Sequence, residues 1–155
     1  MRQEIARHRH LVSVGGSDSS RWPNQCLQRA TADEPHTVPV RDLVLVLGDQ
    51  LDRHSAAFDG FDPARDAVLM MEVVEEASYI PQHKLRIAMF FAAMRHFRDG
   101  LVERGRTVHY VRIDDPATSQ SADPRGSFDA EIRRHVRMCQ PSRLVVLEPG
   151  DFRVR

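Results

Sequence analysis

Leu43-Val44-Leu45-Val46-Leu47-Gly48-Asp49 is the stretch that decides the fold. An unbroken aliphatic run with no polar alternation, closed by a glycine and then an acid, suits a strand buried on both faces of a parallel sheet. Ala67-Val68-Leu69-Met70-Met71, ending at Glu72, repeats the pattern. Thr107 to Ile113 is a third strand whose stronger alternation puts it nearer an edge, and Leu144-Val145-Val146-Leu147, ending at Glu148-Pro149-Gly150, is a fourth. Between them, Ile87, Phe90, Phe91, Met94, Phe97 and Leu101 recur at spacings of three and four, which predicts a helix over 83–103 with Gly105 able to cap it. A second helix starts with Ser127 as N-cap, carries Glu131 in its early turns, faces inward through Ile132, Val136 and Cys139, and closes at Pro141. A short loop or turn of helix joins the first two strands. The alternation of strands and helices predicts an open parallel α/β sheet of the doubly wound, Rossmann-like type, with the first strand central and the order 3-2-1-4.

Composition narrows the function. The 155 residues are 41% hydrophobic and 28% charged, the range of a soluble globular chain long enough for one well-cored domain. No run approaches the length of a membrane span, so a cytoplasmic protein without membrane contact is expected. The 22 basic and 22 acidic residues cancel, which argues against nucleic-acid binding through bulk charge. Cys26 and Cys139 lack any paired spacing or flanking ligand set, so neither a disulfide framework nor a metal cluster is expected from this chain alone.

Residues 1–40 read differently from the rest. They hold Gly15-Gly16-Ser17-Asp18-Ser19-Ser20, three prolines and no helix or strand period, and are expected to form a disordered tail before a domain over 41–155. The sequence stops soon after the fourth strand, where a doubly wound sheet ordinarily continues. The domain therefore reads as incomplete at its carboxyl end, with Leu144–Leu147 left as a bare edge prone to self-association.

In such sheets the ligand crevice lies beyond the carboxyl ends of the strands. Each strand delivers acids there: Asp49 after Gly48, Glu72 with Glu75 and Glu76, Asp114 with Asp115, and Glu148. Gly48 would let a ligand approach the backbone. No glycine-rich phosphate loop is present, and carboxylates repel pyrophosphate while accepting hydrogen bonds from hydroxyl and N–H groups. The rim thus suits a neutral, hydroxyl-rich or heterocyclic ligand; Mg²⁺ is an alternative for clustered carboxylates. Tyr79 could stack on a ring or staple its loop. Ser55, Ser78 and Cys139 have no nucleophile-activating neighbours in sequence, and His96 falls on the outward side of its helix.

The wording of these segments resembles a known family. Leu45-Val46-Leu47-Gly48-Asp49-Gln50-Leu51, Met71-Glu72-Val73-Val74-Glu75-Glu76-Ala77-Ser78-Tyr79, His83-Lys84, Ala93-Met94-Arg95-His96-Phe97, Tyr110-Val111-Arg112-Ile113-Asp114-Asp115 and Glu148-Pro149-Gly150-Asp151-Phe152-Arg153-Val154-Arg155 are similar to the amino-terminal region of deoxyribodipyrimidine photolyase-related proteins, the iron–sulfur bacterial cryptochromes and (6-4) photolyases. The resemblance implies an antenna domain that binds 6,7-dimethyl-8-ribityllumazine, with contacts at Gly48, Asp49, Glu76 and Tyr79 and further support from Glu72 and Ser78. It also implies that FAD, a 4Fe-4S cluster and the pocket for damaged DNA belong to a helical carboxyl-terminal part outside this chain. This chain alone would then not be catalytic, and a carboxyl-terminal FAD domain supplied in trans is a conceivable partner. Pro81-Gln82-His83 departs from the family, whose members often have adjacent histidines there. Two other readings compete: a ligand-free α/β remnant, and a phosphoacceptor receiver-like domain built on Asp49, for which Lys84 is misplaced.

Overall fold

A computed structural model describes residues 9–13, 40–73, 83–114 and 128–148. Its elements in chain order are β1 (Arg9–Ser13), β2 (Asp42–Leu45), a 3₁₀ turn (Ala56–Phe58), β3 (Ala67–Met71), α1 (Lys84–Val102), β4 (Thr107–Val111), α2 (Phe128–Cys139) and β5 (Arg143–Leu147). They build one five-stranded sheet in the order β1-β5-β2-β3-β4. β2 pairs in parallel with β3 and with β5, and β4 pairs in parallel with β3. The four strands expected from the sequence are thus found in the order expected of them, with the alternating strand, β4, on the outside.

The unbroken aliphatic runs follow from helices lying on both faces. On one face Val44, Val46, Val68, Met70, Val145 and Leu147 pack with Phe91, Met94 and Leu101 of α1 and with Ala57 and Phe58 of the 3₁₀ turn. On the other, Leu43, Leu45, Leu47, Ala67, Leu69 and Met71 pack with Cys139 and with the partly buried Phe128, Ile132 and Val136 of α2. Successive strand residues point to opposite faces, so each strand feeds both layers and neither set of positions can be polar. The helix over 83–103 is also as expected. His83 caps α1 by accepting the Leu85 amide at Nδ1, 3.3 Å away. At the other end the Arg106 amide reaches the Leu101 carbonyl and the Gly105 amide reaches that of Val102, with Gly105 at φ 73°, a Schellman closure that needs the left-handed conformation. Phe90 and Phe97, expected in the core, are partly buried against the α1-side layer.

The amino-terminal segment brings a correction. Residues 9–13, within the stretch read as a tail, form β1, which pairs antiparallel with β5 from Arg9↔Leu147 to Ser13↔Arg143. The β5 edge expected to be bare is therefore covered by main chain from the same polypeptide. The signal in sequence was only a short Leu11-Val12 run, too brief to show a period, and its register comes from the unpaired groups of β5 rather than from local preference. Among the described residues no helix is long and apolar enough to cross a membrane.

At the amino-terminal ends of the strands a charge network fixes β2 between its neighbours. The buried Asp66 carboxylate accepts Arg41 Nε at 2.9 Å and Nη2 at 2.5 Å, the Asp42 amide at 3.2 Å and the Asp62 amide at 2.7 Å. Asp42, also buried, receives a two-pronged pair from Arg143 at 2.7 and 2.6 Å. Burial pushes the Asp66 carboxyl up, but the Arg41 guanidinium and the two amides outweigh it and hold it below its ordinary value. A carboxyl depressed in the folded state adds stability that is present above its unfolded pKa of about 4 and is lost as pH falls through the lower folded one. Asp66→Ala should cost about 2–4 kcal/mol at pH 7, because it orphans buried amides and the Arg41 fork. Urea unfolding of both forms at pH 7 and pH 3 should show the difference shrinking in acid; an equal deficit at both pH values would contradict this role.

Candidate functional site

The carboxyl ends of β2, β3 and β5 meet where the sequence placed its acids. After β2 the chain turns at once: the Gln50 amide returns to the Leu47 carbonyl at 2.9 Å. Gln50 is buried, and its Nε2 donates to the Glu148 carbonyl at 3.4 Å, which ties this turn to the end of β5. Gly48 and Gln50 point into the protein while Asp49, between them, is exposed.

The reason for a glycine at 48 differs from the one expected. A Cβ built there would lie 2.2 Å from Phe90 Cζ, 2.7 Å from Phe90 Cε1 and 3.1 Å from Met94 Sδ. The space freed by the missing side chain is filled by α1, so Gly48 admits Phe90 rather than opening a path for a ligand. This close approach seats the first turns of the helix over the end of β2 and leaves the Asp49 carboxylate facing outward beside them.

Glu72 behaves differently from Asp49 although both end central strands. It is 1% exposed and accepts four hydrogen bonds: Oε1 from Arg95 Nε at 2.6 Å and from the Tyr110 hydroxyl at 2.6 Å, Oε2 from Arg95 Nη2 at 2.8 Å and from the Ile113 amide at 3.1 Å. Its own amide donates to the Val111 carbonyl at 2.8 Å. Burial raises the carboxyl, yet the bonds from Arg95, Tyr110 and Ile113 more than offset this and keep it ionised. Burial and the bond to Glu72 push the Tyr110 phenol up, so it remains a donor. With its oxygens engaged by Arg95 of α1, Tyr110 of β4 and the Ile113 amide, Glu72 is buried beneath the rim.

Arg95 and Tyr110 are the partners that local reading missed. Arg95 lies one helical turn after the buried Phe91, so an arginine on the inward stripe was the available signal for a buried acid opposite it. Tyr110 is an alternate residue of β4 on the α1 side, and Arg98 covers its ring, with Cζ 4.9 Å from the centroid.

The remaining expected residues divide clearly. Asp114 is exposed and held by Arg112 through Nε and Nη2, both at 2.9 Å. His96 is exposed, as read. Glu75, Glu76, Ser78, Tyr79, Asp115 and Ser127 lie outside the described residues. Cys139 is buried with Sγ 3.6 Å from His109 Nε2, a neighbour from β4 that spacing could not show; burial pushes its thiol up to about 11, so it is no activated nucleophile. Among the described residues, no group of three or more His, Cys, Asp or Glu is arranged to hold a metal ion.

Two substitutions test this geometry. Glu72→Ala should destabilise the chain by about 2–4 kcal/mol by stranding Tyr110, Ile113 and Arg95; thermal unfolding within 1 °C of the parent would contradict it. Gly48→Ala should cost about 1–3 kcal/mol through overpacking against Phe90. Phe90→Leu in the same chain should recover most of that loss, and strictly additive effects would show that the two residues do not compete for one space.

Comparison with known proteins covers the segment that carries this rim. The family model of deoxyribodipyrimidine photo-lyase-related proteins matches residues 44–155, from within β2 to the last residue. A (6-4) photolyase of Agrobacterium fabrum (strain C58 / ATCC 33970) is 49% identical over 113 residues, covering 73% of this chain but 21% of that protein. The chain thus spans about a fifth of the length of the curated relative it matches. With the family match extending over more than half of its length and containing Gly48, Asp49, Glu72 and the elements that position them, the chain belongs to the deoxyribodipyrimidine photo-lyase-related proteins.

Proposed function

We propose that this chain is an antenna domain, binding 6,7-dimethyl-8-ribityllumazine at the carboxyl ends of its strands and serving a photolyase or cryptochrome in light-dependent DNA repair or photoreception. The observation that carries the reading is the turn at 47–50. Phe90 fills the space above Gly48, Gln50 is anchored to Glu148, and the Asp49 carboxylate between them is exposed. A ribityl chain is a row of hydroxyl donors, and an exposed carboxylate on a rigid turn is a good acceptor for it.

In this reading Asp49 holds ribityl hydroxyls and Gly48 contributes main chain alone. Glu72 acts only by keeping α1 and β4 in position. Glu76, Ser78 and Tyr79 remain contacts implied by family resemblance, with Tyr79 suited to stack on the lumazine ring. Bound lumazine would absorb near-ultraviolet to violet light and pass the excitation to a flavin. FAD, the 4Fe-4S cluster and the surface for damaged DNA would reside in the part of the photolyase polypeptide that this chain does not span, joined to it or supplied in trans. The chain on its own would capture light without repairing DNA.

Titrating the purified chain with 6,7-dimethyl-8-ribityllumazine, followed by absorbance and fluorescence anisotropy, tests the reading. Saturable one-site binding is expected, weakened by about 1–3 kcal/mol in Asp49→Ala, the usual loss when a ligand polar group is deprived of its partner. Binding that is absent, or indifferent to Asp49, would overturn it.

A further inference from the structure

We propose that the carboxamide of Gln50 reads the polar edge of a heterocycle, an N–H beside a carbonyl, in the crevice between β2 and β5. The proposal rests on the antenna reading and adds to it the residue that selects the ring. The strand order places that crevice. From β2 the chain proceeds outward through β3 to β4, then returns to the other side of β2 as β5. The direction of winding thus reverses between β2 and β5. In open α/β sheets a ligand crevice forms at such a reversal, beyond the carboxyl ends of the two strands. The bond from Gln50 Nε2 to the Glu148 carbonyl spans this gap, just past the last residue of β5.

Gln50 differs from the other buried polar side chains at the strand ends. Asp42, Asp66 and Glu72 are each held through both carboxylate oxygens. Gln50 is 5% exposed, yet one bond of 3.4 Å is what engages its carboxamide, a group with two N–H donors and an acceptor oxygen. No described residue donates to its Oε1. Nor is that oxygen sealed in: among the described residues, the buried side-chain polar atoms lacking a partner are Arg9 Nε and Arg106 Nη1. Oε1 and the N–H alongside it therefore form a donor–acceptor pair at the gap, while the other N–H is engaged by Glu148. Such a pair is complementary to an imide edge. Oε1 accepts from the ring N–H and Nε2 donates to the ring carbonyl, the two-pronged geometry with which carboxamide side chains identify nucleobases. The pteridine-dione ring of 6,7-dimethyl-8-ribityllumazine has that edge, an N3–H flanked by two carbonyls. Asp49 then serves the ribityl hydroxyls and Gln50 the ring, from adjacent positions of one turn.

Fluorescence titration of the unaltered chain and of Gln50→Met, each with 6,7-dimethyl-8-ribityllumazine and with its N3-methyl derivative, provides the test. In the unaltered chain methylation should weaken binding about tenfold or more, because it removes the N–H and sets a methyl group against Oε1. Gln50→Met keeps a similar shape without the hydrogen-bonding groups. It should bind the unmethylated lumazine about tenfold more weakly and discriminate between the two ligands by less than about threefold. Equal affinity of the unaltered chain for both ligands would overturn the proposal and leave the antenna reading intact. A methylation penalty undiminished in Gln50→Met would do the same. Failure of the unaltered chain to bind unmethylated lumazine would overturn both. The comparison of the two ligands on the unaltered chain needs no variant, so it decides the matter should Gln50→Met not fold.

Discussion

A carboxylate buried at the end of the second family strand organises the working end of this domain. Desolvating Glu72 is unfavourable unless every lone pair finds a donor, and the protein supplies them from Arg95 of α1, Tyr110 of β4 and the Ile113 amide two residues past the end of β4. The requirement fixes where α1 crosses the sheet. Because Arg95 must reach Glu72, Phe90 and Met94 come to lie over Gly48, and because they do, position 48 has no room for a side chain. The outward placement of Asp49 follows from this chain of packing.

The two ends of the sheet carry charge for different purposes. At the strand starts, Asp42 and Asp66 are buried and matched by Arg143 and Arg41, an arrangement that ties neighbouring strands together. At the strand ends one acid, Glu72, is matched in the same way, while Asp49 next to it is exposed. Among the described residues the exposed strand-end acid thus lies at the rim where open α/β sheets ordinarily take their ligands. The segment matched by the photo-lyase-related family contains this rim and the elements that build it.

The sequence made much of the fold legible because burial on both faces leaves no ambiguity. Ala67–Met71 has the limits expected, and α1 begins and ends within one residue of its pattern. Legibility failed where partners are distant in the chain. That Gly48 answers to Phe90, that Arg95 and Tyr110 belong to Glu72, and that Cys139 meets His109 are consequences of crossovers that no local spacing records. The strand at 9–13 was hidden for a related reason, since its structure is imposed by the edge it completes. Glu72 looked like a rim acid because position along a strand says where a side chain emerges, but not which helix will cover it.

Amide and arginine Nε chemical shifts of the isotopically labelled chain, followed during titration with 6,7-dimethyl-8-ribityllumazine, test most directly the claim that a rigid, fully satisfied Glu72 supports an exposed Asp49. The account predicts perturbations centred on Gly48, Asp49 and Gln50, with the Arg95 Nε resonance unmoved because its bond to Glu72 persists. A large shift of Arg95 Nε, or changes gathered around Arg41 and Asp66 at the opposite end, would contradict it.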